Sequence, residues 1–244
     1  MAPGQVVIGT SGWSYSHWVG PFYPEGTRSA DFLAVYARHF AASEVNTTFY
    51  QLPAPETFDH WVAQTPPGFV FACKASRYIT HVKKLKDPQS TTARFFEAVA
   101  RLGDRCGPIL FQLPPKWRAN PERLGAFLDA LPPHYRYVFE FRDSSWFTEA
   151  VYTRLENAGA GLVIADMAGE TSPLRVTADL IYLRLHGPGQ TAYTGRYSDQ
   201  ALHDWAERIR DWTAAGRDVY CFFDNDAGGN APADALRLKA RLDT

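Results

Sequence analysis

At 244 residues, with 25 Lys and Arg against 26 Asp and Glu, the chain has a formal net charge of −1 and no global electrostatic drive toward nucleic acid or an anionic membrane. Its 45% hydrophobic and 14% aromatic content exclude a disordered chain, and no run approaches the roughly 20 apolar residues of a membrane span. Three widely spaced cysteines, Cys73, Cys106 and Cys221, suit neither a disulfide framework nor a zinc site, so a reducing, cytoplasmic setting is expected.

The N-terminal stretch MAPGQVVIGTSGW lacks the basic and apolar regions of a signal peptide, so neither export nor a membrane partner is expected. In chain order the short apolar runs are VVIGTS (from Val6), SEVN (from Ser43), FVFACK (from Phe69), ILFQL (from Ile109), YVFEFR (from Tyr137), LVIAD (from Leu162), IYLRLH (from Ile181) and VYCFFD (from Val219). Each but the sixth precedes a segment of helical period, and that alternation predicts βα units on a parallel sheet. Pro55-Glu56 and Asn120-Pro121-Glu122 mark helix starts, the latter with an N-cap, a first-turn proline and a dipole-favoured acid. After the seventh run, Leu202, Trp205, Ile209 and Trp212 recur at helical spacing and Gly216 ends the helix. After the sixth, MAGETSPLRVTADL is too broken for more than a turn or an irregular crossover. Eight such units without a glycine-rich dinucleotide fingerprint predict an α/β fold, a closed parallel eight-stranded (β/α)8 TIM-type barrel over 1–244 rather than an open doubly wound sheet.

A barrel of this kind builds its site at the C-terminal ends of its strands. On the seventh run Ile181, Leu183 and Leu185 alternate with Tyr182, Arg184 and His186, which puts the polar set inside. The same reading places Glu44 and Asn46, Lys74, Gln112, Glu140 and Arg142, Asp166, and Asp224 at other strand ends, whereas Cys73 shares the helix-facing parity of Phe69 and Phe71. Buried charges on this scale must compensate one another or serve a ligand.

The segments GTSGWSY (from Gly9), EVNTTFY (from Glu44), FACK (from Phe71), LFQLPP (from Leu110), FEFRDSSW (from Phe139), YLRLHG (from Tyr182) and AYTGRYS (from Ala192) resemble, in order, the signatures of the YecE-like family, the domain of unknown function 72. The resemblance implies a TIM-type barrel and brings no settled activity. It departs at the eighth strand end, where the family pattern has paired asparagines and this chain reads FFDNDAGG, with Asp224 before Asn225.

The chemistry these residues suit first is acid/base work on a small anionic ligand bearing phosphate or carboxylate. Arg184, Arg142 and Lys74 would fix the anion, with Glu140 or Asp166 as general base and His186 as shuttle; a desolvated Lys74 would instead form a Schiff base. HGPGQTAYTGRY adds Tyr193, Arg196 and Tyr197, and the glycines before the last helix offer backbone amides. The candidate catalytic set is Glu44, Lys74, Glu140, Asp166 and His186; the candidate substrate-binding set is Asn46, Gln112, Arg142, Arg184, Tyr193, Arg196, Tyr197 and Asn225. Arg184 is expected to serve a ligand more than folding. No metal is assigned, and no cofactor is specified.

One alternative is a divalent-metal hydrolase or sugar isomerase built on Glu140, Asp166, His186 and Asp224, which the neighbouring arginines oppose. A glycosidase would want paired carboxylates where Gln112 and His186 stand. A nucleic-acid-binding or processing module is a further alternative, through Trp13, Tyr15, Trp18, Trp117 and Trp146 as stacking aromatics and the basic stretch RYITHVKKLK from Arg77.

Overall fold

The computed structural model describes residues 2–243. Eight parallel strands form the barrel: β1 (Val6–Ser11), β2 (Ala42–Val45), β3 (Val70–Lys74), β4 (Cys106–Gln112), β5 (Tyr137–Glu140), β6 (Gly161–Met167), β8 (Leu180–Leu185) and β9 (Asp218–Phe223). Their order is β5-β4-β3-β2-β1-β9-β8-β6, and the pairing of β5 with β6 through Val138↔Gly161 and Phe139↔Leu162 closes the ring. The two-residue β7 (Glu170–Thr171) pairs antiparallel with β6. Ala168 and Gly169, both at positive φ, make its tight turn. That hairpin is what the broken segment after the sixth run becomes.

The short α2 (Thr47–Tyr50) sits against the end of β3, with the Thr48 hydroxyl donating to the Lys74 carbonyl at 2.7 Å, and the other helices cover the outside: α1 (Phe32–Tyr36), α3 (Pro55–Gln64), α4 (Pro88–Val99), α5 (Pro121–Asp129), α6 (Glu149–Asn157), α7 (Asp199–Ala214) and α8 (Asn230–Leu242). Pro55 and Pro121 stand in first turns as expected, and Asn120 Oδ1 accepts the Arg123 amide at 2.9 Å. Leu202, Trp205 and Ile209 bury one stripe of α7, and Gly216 takes the positive φ that ends the segment. No helix among the described residues is long and apolar enough to cross a membrane.

Strand parity splits the apolar residues in two. Ala42, Ala72, Leu110, Val138, Val163, Tyr182 and Phe222 belong to one buried cluster in the lumen; Phe71, Cys73, Phe111, Phe139, Ile164, Leu183 and Cys221 belong to the larger one under the helices. All three cysteines are free. The lumen is thus apolar from below, and its polar residues gather at the C-terminal strand ends.

The stacking aromatics expected for a nucleic-acid face are a correction. Trp18 and Trp146 are fully enclosed, and Trp13 and Trp117 are only 9% exposed. Trp146 Nε1 donates to the Trp117 carbonyl at 2.6 Å, and Trp18 Nε1 to Asp226 Oδ1 at 2.6 Å. These rings pack the loops over the barrel and do not present faces to a base.

Candidate active site

Arg184, on β8, organises the strand ends. Its Nε donates to Glu44 Oε2 at 2.9 Å and its Nη2 to Glu44 Oε1 at 2.6 Å, a two-point pairing of guanidinium with carboxylate. Nη1 donates to Glu140 Oε2 at 2.7 Å, and Nη2 also reaches Asp224 Oδ2 at 3.2 Å. Glu44 further accepts the Tyr182 hydroxyl at 2.8 Å, the Ser11 hydroxyl at 2.8 Å and the Asn46 amide at 3.2 Å. Glu140 Oε1 closes on Arg142 Nη2. His186 has Nδ1 3.0 Å from Asp224 Oδ2 and Nε2 3.1 Å from Arg142 Nη2. Arginine nitrogens only donate, so Nε2 is the accepting nitrogen, while Nδ1, although close to Asp224 Oδ2, makes no hydrogen bond.

Burial by itself would raise both glutamates. The Arg184 charge outweighs it, helped by Lys74 at both and by Arg142 at Glu140, so Glu44 is held below and Glu140 far below the ordinary carboxylate range. Three cations, Lys74, Arg142 and Arg184, face three carboxylates, Glu44, Glu140 and Asp224, so the cluster is neutral in formal charge. Its members are not equally engaged. Lys74 is 7% exposed, and its Nζ has no hydrogen bond or ion pair among the described residues; it stands 4.2 Å over the Phe49 ring. Desolvation, then repulsion by Arg184, outweigh Glu140, Glu44 and Asp224 and bring Lys74 down to about 8.

Beyond Lys74 the backbone is irregular. Tyr78–Val82 is one π-helical turn, and Lys84, Leu85 and Asp87 follow at φ of 49°, 63° and 49°. Leu85 is buried, so packing holds a side chain in a conformation that costs about 1–3 kcal/mol. The turn sets the His81 ring 5.1 Å from that of Phe49, with Nδ1 2.9 Å from the Thr80 hydroxyl. Burial, then the charges of Lys74 and Arg77, lower the His81 imidazole, which favours its neutral form. Sequence reasoning absorbed His81 into a basic run and did not single out Phe49.

Glu44, Lys74, Glu140, Arg142, Arg184 and His186 do converge, and the rest of the expected set divides. Tyr193 lies over this group, its ring 5.4 Å from that of His186. Gln112 ends β4 in register with Glu140, half-buried. Asn46 keeps a buried Oδ1 without a partner. Beside it Gly12, Trp13, Tyr15, Trp61 and Gln64 help to line a cleft of about 380 Å³ whose walls carry no Asp, Glu, Lys or Arg.

Asp166 is a correction. It pairs in register with Leu185, while its neighbour Ala165 pairs with Arg184, so its side chain has the helix-facing parity. It lines a separate cleft with Ser172, Trp205 and Arg208, and burial raises its carboxyl despite bonds to Tyr197 and Trp205. Tyr197 and Asn225 are likewise turned outward from the lumen. The Tyr197 hydroxyl accepts the Gly187 amide at 3.1 Å, and Asn225 Nδ2 donates to the Gly195 carbonyl and to Asp234 Oδ2, each at 2.9 Å. Arg196 is largely exposed, 3.7 Å from Asp234. At the start of α8, where an anion was expected, Asp226 stands bonded to Trp18 and His17. The metal set is not assembled either: among the described residues no three His, Cys, Asp or Glu group to hold an ion.

Asn225→Ala is expected to cost about 1–3 kcal/mol in urea unfolding, because it strips a buried donor from Asp234 and Gly195. It should leave ligand responses at the lumen unchanged; a loss of those responses would return Asn225 to the site.

Comparison with known proteins places the chain. The family model described as protein of unknown function DUF72 matches residues 7–244. The UPF0759 protein YunF of Bacillus subtilis is 26% identical, over 98% of this chain and 95% of its own length. The UPF0759 protein YecE of Escherichia coli is 34% identical over 63% of this chain and 54% of its own length. A crystal structure of a DUF72 family protein from Thermotoga maritima superposes with a TM-score of 0.88 at 31% identity, covering 98% of this chain and 100% of that one. One from Enterococcus faecalis gives 0.81 at 20% identity, covering 98% and 96%. With the family model matched over nearly its whole length, this chain belongs to the DUF72 family.

Proposed function

We propose that this protein is an enzyme that binds a small anion, bearing phosphate or carboxylate, at the C-terminal mouth of the barrel and acts on it by proton transfer. The observation that carries the reading is the contrast inside one neutral cluster: Arg184 is enclosed by carboxylates, while Lys74 is buried and its Nζ has no polar partner among the described residues. Holding a lysine in that state costs stability, and active sites are where such a cost is retained.

The roles follow from which groups are still free. Glu44 and Glu140 are poor bases because arginines hold them ionised, and the accepting nitrogen of His186 already faces Arg142. Lys74, brought down to about 8, is therefore the group best matched to exchanging a proton near neutrality. Arg142 lies nearer the surface than Arg184 and has a buried Nε without a partner, which suits it to meet the anion beside Lys74. The uncharged cleft along Asn46 has room for the rest of the substrate.

Melting curves with inorganic phosphate, pyruvate and small phosphorylated compounds test this. A binder present at 100 times its Kd adds about 2.7 kcal/mol, or roughly 5–10 °C for a chain of this size. Arg142→Met and Lys74→Met should each remove that shift. If no anion raises the melting temperature, or if both variants still respond as the parent does, the reading is wrong.

A further inference from the structure

We propose that Lys74 is a nucleophile that forms an imine with the carbonyl group of the substrate, with His81 as its proton partner. The inference rests on the anion reading above and narrows the substrate to a small anion that carries an aldehyde or ketone.

An amine attacks a carbonyl only when its lone pair is free, and Nζ of Lys74 meets the two conditions that make it so. It is desolvated against the face of Phe49, and it lies within the field of a second cation, Arg184. None of the three carboxylates of the cluster comes within ion-pair distance of it, whereas Arg184 touches all three. The lysine is therefore placed among acids without being neutralised by any of them.

His81 supplies what the attack needs next. Its ring packs on the same Phe49 ring, Nδ1 is held by Thr80, and Nε2 has no hydrogen-bond partner among the described residues. It reaches this place only through the π-helical turn, a feature that recurs at functional sites, and the left-handed residues after it are the kind of local strain found there. In the proposed step the Nζ lone pair bonds to the carbonyl carbon, the C=O π pair moves to oxygen, and His81 Nε2 takes one nitrogen proton and gives it to that oxygen, forming a carbinolamine. The nitrogen then gives its second proton to His81 Nε2, which returns it to the hydroxyl as the nitrogen lone pair forms the C=N bond and the C–O bond breaks. Water leaves, a C=N bond remains, and nothing is oxidised or reduced.

The test incubates the protein with pyruvate, or with the neutral aldehyde glycolaldehyde, at pH 7.5. Sodium borohydride then reduces any imine to a stable secondary amine, and peptide mass spectrometry locates it. The chain has six lysines, and Lys83, Lys84, Lys86, Lys116 and Lys239 serve as internal references. Lys74 is expected to be labelled at least tenfold faster than any of them, and His81→Gln to slow that labelling about tenfold or more. Faster labelling by pyruvate than by glycolaldehyde supports both the imine and the anion reading; equal labelling supports the imine alone. Absence of an adduct at Lys74 with either compound overturns the imine, and phosphate-induced stabilisation in the same preparation would leave the anion reading standing. An unchanged rate in His81→Gln removes His81 from the step.

Discussion

Arg184→Met is expected to destabilise the barrel by about 3–5 kcal/mol at pH 7, the usual cost of removing one partner from a buried ion pair. Methionine roughly fills the space but leaves Glu44 and Glu140, both enclosed, facing each other without the guanidinium that now satisfies three of their four carboxylate oxygens. In the melting curve this corresponds to roughly 6–20 °C. The sign of the pH dependence follows from the two glutamates. Their folded values are held down, so their stabilisation is complete above the ordinary range near 4.5 and is lost as pH falls below it. The gap between parent and variant should therefore be full at pH 7 and narrow below about pH 4.5. A loss under about 1 kcal/mol at pH 7 would restore the ligand-serving role that the sequence suggests for Arg184.

Lys74→Met should move stability the other way. A lysine brought from its ordinary 10.5 down to about 8 carries about 3 kcal/mol of unfavourable free energy wherever the folded protein holds it protonated, below about pH 8. Here the folded value is depressed, so the unfolded state binds more protons between about pH 8 and 10.5, and the parent gains stability as pH rises through that window. The charged groups acting on Lys74 are Arg184, Glu140, Glu44 and Asp224, and His81 packs on the same Phe49 ring. Below pH 8 the variant should be the more stable by about 3 kcal/mol, and the difference should shrink toward pH 10.5. Urea unfolding at pH 7 and pH 10 reads both points. A variant less stable than the parent at pH 7 would show that Lys74 is paired in solution and would weaken its assignment as the reactive group. These outcomes would make Arg184 the residue that stabilises the strand ends and Lys74 the one whose retention costs stability.

Much of this architecture was legible in the sequence because it depends on local periodicity. The alternation of apolar runs with helical segments forces parallel βα units, and period-two patterning along IYLRLH fixes which side of β8 is polar. Tyr182, Arg184 and His186 accordingly point inward, as do Glu44 and Glu140. Parity misplaced Asp166. The polar termination of LVIAD looks like the other strand ends, but the chain turns into a hairpin at Ala168-Gly169, and the inward positions of β6 are Val163 and Ala165. Only the closed ring decides which carboxylate meets which cation, because Glu44 and Arg184 are 140 residues apart and no local pattern encodes their pairing. The same holds for Lys74, whose want of a partner is a property of its surroundings and not of the segment FACK. His81 was hidden for a further reason: a π turn followed by left-handed residues has no periodic signature, so tertiary packing alone sets its ring beside Phe49.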